Sequence, residues 1–121
     1  MKRALVVDDD EMDLEFLRLL LEKEGYEVLS TADGPQGITL YKEHQPSFVF
    51  IDLGLPSMSG IEVLKEIRGF DEHAKVILIT GYGSVENAVA AMRYGALDFV
   101  EKTWDAGEMM HKVQTILYAF G

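Results

Sequence analysis

Cysteine is absent from this chain of 121 residues, and proline (3) and tryptophan (1) are nearly so. Without cysteine there is no disulfide framework and no thiolate chemistry, which fits a reducing cytoplasm as the expected location. Basic residues are also scarce. Lys and Arg total 11 against 21 Asp and Glu, a formal charge of −10, with a pI near 4.6. Direct binding to a nucleic-acid backbone is not expected of such a chain, whereas metal cations and basic partners suit it. Long apolar runs are missing too: no stretch approaches a membrane span, so no membrane partner is expected. Met1-Lys2-Arg3 resembles the start of a signal peptide, but only Ala4 to Val7 follow before a run of acids, far short of an apolar h-region. There is no internal repeat and no low-complexity segment. What remains, 48% apolar residues in 13.6 kDa, fills the core of one compact domain spanning 1–121.

The most informative stretch is FVFIDLGLPSMSG, Phe48 to Gly60. Four apolar residues run without interruption into Asp52 and then into a turn built on Pro56 and Gly60, as in a strand buried on both faces of a parallel sheet. Asp52 emerges at the strand's carboxyl end, where open α/β sheets bind ligands. By itself such an Asp reads as a turn cap. Its company changes that reading.

Ala4-Leu5-Val6-Val7 is a second buried strand, ending in Asp8-Asp9-Asp10-Glu11. Like charges this close repel unless a cation sits among them. Glu11 to Glu24 has a helical apolar set of Met12, Phe16, Leu17, Leu20 and Leu21, stopped by Gly25. Tyr26 to Ser30 alternates like an edge strand, and Asp33-Gly34-Pro35 starts a helix that turns Ile38 and Tyr41 to the core. Ser59-Gly60-Ile61-Glu62 matches a capping box, with Ile61, Leu64 and Ile67 buried and Gly69 as the stop. Val76 to Ile79 is the next strand and delivers Thr80, followed by Gly81-Tyr82-Gly83. Ser84 caps a helix with Ala88, Ala91 and Met92 inward, closed by Gly95. Leu97 to Glu101 alternates like the other edge and is followed by Lys102. Asp105-Ala106-Gly107-Glu108 opens a last helix with Met109, Val113, Ile116, Leu117 and Phe120 on one side.

Five strands alternating with five helices imply an α/β, doubly wound, parallel sheet with right-handed crossovers. With the two alternating strands at the edges the order is 2-1-3-4-5, the flavodoxin-like (βα)5 arrangement, whose reversal lies between the first and third strands. That crevice gathers Asp8, Asp9 and Asp52, and Thr80 and Lys102 arrive from the neighbouring strands. A set of carboxylates beside one hydroxyl and one ammonium suits phosphoryl transfer. A hard cation such as Mg²⁺ is held by carboxylates and a backbone carbonyl. The metal and Lys102 neutralise the transferring oxygens, Thr80 donates a hydrogen bond, and Asp52 attacks in line as the nucleophile.

VVDDD at Val6 to Asp10, FIDLGLPSMSG at Phe50 to Gly60, ITGYG at Ile79 to Gly83 and YGALDFVEK at Tyr94 to Lys102 occur in order, and over essentially its whole length the sequence resembles the receiver domain of two-component response regulators. The resemblance implies that Asp52 is the phospho-acceptor and that Asp8 and Asp9 are the acidic pair, with Asp9 the more direct metal ligand. It further implies that the Gly54 carbonyl completes the protein ligands of Mg²⁺, or of Mn²⁺ in its place. Thr80 and Lys102 match the residues that hold the phosphoryl group, and Phe99 the aromatic switch side chain. The implied function is a signalling switch. A sensor histidine kinase phosphorylates Asp52, and a face made by the Ser84 to Tyr94 helix, the last strand and the last helix controls an output domain or effector, or forms a homodimer. Turnover of an external substrate is not expected. Two departures from the family stand out. The family lysine is usually followed by a cis proline, but Lys102 is followed by Thr103, and a cis bond without proline costs roughly 3 to 4 kcal/mol, so a trans bond is expected. Asp10 adds a third acid, as a metal contact or as the helix cap, the second being expected. The last helix lacks the arginines of winged-helix regulators, and GYGSVENAVAAMRYGALDF is more similar to receivers of nitrogen-regulation-type activators.

Two rival sites fit less well. A haloacid-dehalogenase-like phosphatase needs an acid two residues after its nucleophile, where this chain has Gly54. A flavodoxin-like flavin carrier needs a phosphate-cradling loop after the first strand, where this chain has acids. His44, His73 and His111 are scattered and carry no expected metal or relay role. Trp104 is expected to cover the core, and Met109 and Met110 to pack the last helix.

Overall fold

The computed structural model describes residues 2–81, 84–103 and 105–121, so the expectations for Tyr82, Gly83 and Trp104 lie outside the described residues. The chain alternates strictly: β1 (Arg3–Val7), α1 (Glu11–Lys23), β2 (Glu27–Thr31), α2 (Gly34–His44), β3 (Phe48–Asp52), α3 (Gly60–Phe70), β4 (Val76–Thr80), α4 (Val85–Arg93), β5 (Asp98–Glu101) and α5 (Ala106–Phe120). All four strand pairings are parallel, in the order β2-β1-β3-β4-β5, as the edge argument requires. β1, β3 and β4 are buried on both faces, which is why their sequences are continuous apolar runs and not alternating ones.

Period-two alternation distributes those runs between two cores. Ala4, Val6, Phe48, Phe50, Ile77, Ile79 and Val100 pack against α1 and α5. Leu5, Val7, Val49, Ile51, Val76 and Leu78 face the opposite side, with residues of α2, α3 and α4. The helix signals translate into bonds: Asp10, Asp33, Ser84 and Asp105 each accept at their helix N-terminus. Ser59 and Glu62 form the expected reciprocal capping box. Gly25 and Gly95, at φ +92 and +93, adopt the left-handed conformation that ends α1 and α4.

Several expected core positions are not in the core. Met12, Met92 and Phe120 are 83%, 51% and 43% exposed. Met12 and Phe120 lie in terminal turns, beyond the sheet that could cover them. α4 lies on β5 through Ala91, with Ala88 half-buried, and turns Val85, Val89 and Met92 outward as an apolar stripe. Gly69 does not stop α3, which runs on to Phe70 and is capped at Asp71. Ile61 is only half-buried, and Val63 takes the fully buried place.

Gly60 fixes the loop after Asp52. A Cβ on it would lie 2.5 Å from the Asp52 carbonyl oxygen and 3.0 Å from the Leu53 Cα, while its N–H donates to the Leu53 carbonyl at 2.9 Å. Gly60→Ala must therefore push backbone apart, and is expected to cost about 1–3 kcal/mol, read as a lower urea midpoint at unchanged slope. Gly69→Ala, whose Cβ meets nothing within 4 Å, is expected to raise stability by about 0.5–1 kcal/mol through helix propensity.

Candidate functional site

The carboxyl ends of β1, β3, β4 and β5 open onto one cleft of about 570 Å³, bordered by Asp9, Asp10, Asp13, Asp52, Gly54, Thr80, Gly81, Lys102 and Thr103. Backbone bonds continue the ladder past the strand ends and hold the site residues in register. Asp8 N–H donates to the Thr31 carbonyl at 3.1 Å, Leu53 N–H to Ile79 at 3.0 Å and Lys102 N–H to Thr80 at 2.7 Å. The cleft thus brings together the expected Asp9, Asp52, Gly54, Thr80 and Lys102, with Asp8 on its buried side.

Asp8 is 2% exposed. Its Oδ1 accepts from the Asp10 N–H at 3.0 Å and its Oδ2 from Lys102 Nζ at 3.0 Å. Asp9 is exposed and Asp52 half-buried. Asp10 is the cap of α1, its Oδ1 accepting from the Met12 and Asp13 N–H groups at 2.9 and 3.1 Å. Lys102 reaches back across the site to three carboxylates: Asp13 Oδ2 at 2.7 Å, Asp8 Oδ2 at 3.0 Å and Asp52 Oδ1 at 3.2 Å. Among the described residues there is no cis peptide bond, so Lys102–Thr103 is trans as expected. Phe99 is half-buried, against the core that also holds Ala91 and Ala96. His44 and His73 lie beside Glu43 and Glu72, away from the cleft.

Among the described residues, Asp13 borders the cleft and bonds Lys102, a placement that sequence reasoning missed. It stands in the first turn of α1, three residues after the Asp10 cap, where acids ordinarily complement the helix dipole. The available signal was that spacing: the helix begins at the crevice, so its third residue can lie beside the lysine.

Asp8, Asp9 and Asp52 each offer one carboxylate oxygen, all within 4.8 Å of one another. An octahedral Mg²⁺ with oxygens at 2.0–2.1 Å places neighbours about 3 Å and opposite ligands about 4 Å apart, so side-chain adjustments of about 1 Å suffice. Hard oxygen donors, two of them half-buried or exposed, fit that ion. Burial pushes the Asp8 carboxyl up to about 6, against the lowering effects of the Asp10 N–H and Lys102 and with a further upward push from Asp52. For Lys102 burial works downward, but its bonds to Asp13 and Asp8 and the charges of Asp8 and Asp52 outweigh it and hold the ammonium above its usual value.

The raised Asp8 carboxyl has a stability consequence. The folded chain binds that proton more tightly than the unfolded chain does. This contribution is therefore fully present below about pH 4 and lost as pH rises through about 6. It amounts to about 2–3 kcal/mol at most. In Mg²⁺-free buffer, Asp8→Asn is expected to flatten the dependence of the urea midpoint on pH between 4 and 7 relative to wild type; unchanged curvature would show that Asp8 is not the group responsible.

Comparison with known proteins agrees with this geometry. The family model described as the response regulator receiver domain matches residues 4–114. The chain is 34% identical to the chemotaxis protein CheY of Bacillus subtilis over 95% of this chain and 97% of that protein. It is 36% identical to the regulatory protein AtoC of Escherichia coli over 95% of this chain but only 25% of that protein. Among solved structures, the response regulator protein TrrA of Thermotoga maritima, in complex with Mg(2+)-BeF, superposes with a TM-score of 0.83 at 33% identity, covering 96% of this chain and 99% of that one. With a family model matched across nearly its whole length and relatives at this level of identity, the chain belongs to the response regulator receiver domain family.

Proposed function

We propose that residues 1–121 form a single receiver domain in which Asp52 accepts a phosphoryl group from a sensor histidine kinase in the cytoplasm, with Mg²⁺, or Mn²⁺, held by Asp8, Asp9, Asp52 and the Gly54 carbonyl. The observation that carries this reading is the environment of Asp52. Its carboxylate stands at the end of a strand buried on both faces, 3.2 Å from the Lys102 ammonium and within 4.8 Å of carboxylate oxygens of Asp8 and Asp9. Thr80 borders the same cleft. The Mg(2+)-BeF complex of the TrrA relative supports the metal and the phosphoryl chemistry.

One Asp52 oxygen attacks phosphorus in line. The O–P bond forms as the bond from phosphorus to the donor's leaving group breaks, and the electron pair leaves with that group. A bound divalent cation supplies neutralisation of the phosphoryl oxygens. Lys102 neutralises the same charge from the α1 side and Thr80 donates from the end of β4. Water later attacks phosphorus and restores the Asp52 carboxylate. No external substrate is turned over.

The output surface follows from contrast between the faces. α4 carries the exposed stripe Val85, Val89 and Met92 beside Tyr94, next to β5 and α5. That face controls an output domain or effector, or pairs two copies, and the chain's formal charge of −10 opposes direct nucleic-acid binding. The chain spans nearly all of the CheY relative and a quarter of the AtoC relative, so an output module elsewhere in the same protein and a separate effector are both compatible with this role.

Incubation with Mg²⁺ and a small phosphodonor is expected to yield one phosphoryl adduct by intact mass, acid-stable and base-labile. Asp52→Asn should abolish it while leaving the fold equal or more stable, because one member of a crowded acid group is removed; an adduct at wild-type level would sink the assignment. Asp9→Ala should weaken Mg²⁺ binding and slow phosphorylation. Asp10→Ala should instead cost about 1 kcal/mol of stability through its lost cap.

Amide exchange with and without a phosphoryl mimic is expected to change protection at residues 80–94 and at Phe99. Changes confined to α1 would place the output face on the opposite side.

A further inference from the structure

The Lys102 ammonium is already engaged by two hydrogen bonds and a further ion pair. Of its three N–H groups, Nζ gives one to Asp13 at 2.7 Å and one to Asp8 at 3.0 Å, and the Asp52 carboxylate stands 3.2 Å away as an ion pair. A phosphoryl oxygen therefore meets an ammonium already shared among carboxylates, and draws it fully only as one of them lets go. The three differ in what release costs. Asp8 is almost wholly buried, and its charge without a partner would be strongly unfavourable. Asp52 is the group being converted. The Asp13 side chain is 41% exposed, so water replaces its lost partner at little cost.

An acid in the first turn of a helix is ordinarily explained by the helix dipole. Glu11 shares that turn of α1, but it lines a different groove, with Met12 and Ala32. Asp13 borders the cleft that holds Asp52 and Thr80, and its carboxylate makes the shortest of the lysine's three contacts. The α1 cap is supplied by Asp10, so the helix start does not depend on the Asp13 side chain.

We propose that Asp13 is a positioning residue that competes with the phosphoryl group for the Lys102 ammonium, and so lowers the stability of the phosphorylated state below what Asp52, Thr80 and Lys102 would give alone. The inference rests on the reading of Asp52 as phospho-acceptor. In the unphosphorylated chain Asp13 draws the ammonium toward α1. When Asp52 carries a phosphoryl group, one N–H passes from Asp13 to a phosphoryl oxygen and Asp13 becomes hydrated. Its negative charge stays beside the new anion. Donor exchange and like-charge repulsion both oppose the phosphorylated state.

Beryllofluoride in saturating Mg²⁺ is the probe, titrated by fluorine NMR against wild type and Asp13→Asn, Asp13→Glu, Glu11→Gln and Asp52→Asn. Asp13→Asn is expected to bind it about tenfold more tightly, the size of one charge-assisted hydrogen bond regained. Asp13→Glu, which keeps the charge, should stay near wild type. Glu11→Gln, which removes an equal charge from α1 without touching the lysine, should shift affinity by less than about twofold, since exposed charges at a distance are screened. The urea midpoint of Asp13→Asn should match wild type. Asp13→Asn binding no tighter than wild type, an equal gain in Glu11→Gln, or a fallen urea midpoint would each overturn the proposal. Failure of wild type to bind, or binding by Asp52→Asn at wild-type strength, would instead overturn the phospho-acceptor reading.

Discussion

Like charge forced together at the end of a buried parallel sheet is the constraint on which the site depends. A doubly wound sheet sends the carboxyl ends of β1 and β3 into one crevice, where β3 ends in Asp52 and β1 is followed directly by Asp8 and Asp9. Unscreened, carboxylates a few ångströms apart repel by several kcal/mol at the intermediate dielectric of a protein surface. The Lys102 ammonium, hydrogen-bonded to Asp8 and Asp13 and ion-paired with Asp52 across the crevice, is the charge that lets the fold close over them. Burial pushes the Asp8 carboxyl up while Lys102 works against that push, and for Lys102 the bonds to Asp13 and Asp8 and the charges of Asp8 and Asp52 outweigh burial. On the proposed reading, a divalent cation bound here would relieve repulsion that the fold has already built in.

Strand identity, strand order and the gathering of the expected site residues in one cleft were legible because each rests on a short-range rule. A strand buried on both faces must be continuously apolar, and β1, β3 and β4 are; an edge strand can carry polar residues, and β2 and β5 do, with Glu27 and Ser30 in one and Asp98 and Glu101 in the other. Alternation carries further than that. Counting by two from Val6, Phe50 and Val100, all on the α1 side, places Asp8, Asp52 and Lys102 on the same side, which is where their contacts are found. Met12, Met92 and Phe120 were illegible for a complementary reason. Helical periodicity says which residues share a face but not how far the sheet extends beneath it. α4 buries small residues on a strand of only 4 residues, so its larger apolar side chains point outward. Asp13 was illegible because its role depends on the rotation of α1 about its own axis, which tertiary packing sets. Gly60 could be read as a turn residue, but its close approach to the Asp52 carbonyl is a property of the folded loop.

The same counting bears on how a change at Asp52 would reach α4. Leu78 pairs with Phe99 across β4 and β5, and Leu78 faces the core that includes Ala91 of α4. Thr80 is two residues beyond Leu78, so strand alternation turns it to that same side, one pleat from Phe99. Asp52 and Lys102 face α1 and α5. On the proposed reading Thr80 therefore connects the two sides: it stands at the strand end beside the phosphoryl group, while its side chain belongs to the layer that α4 covers. Phe99 carries no hydroxyl, so its position is reported by packing alone. Packing couplings of this kind are modest, on the order of 1–3 kcal/mol. α4 is held by few buried side chains, Ala91 chief among them, and an element so lightly anchored can be displaced by a coupling of that size where α3, with three large aliphatic side chains buried, cannot. On the proposed reading, the weak packing that leaves Val85, Val89 and Met92 on the surface is what would make α4 responsive.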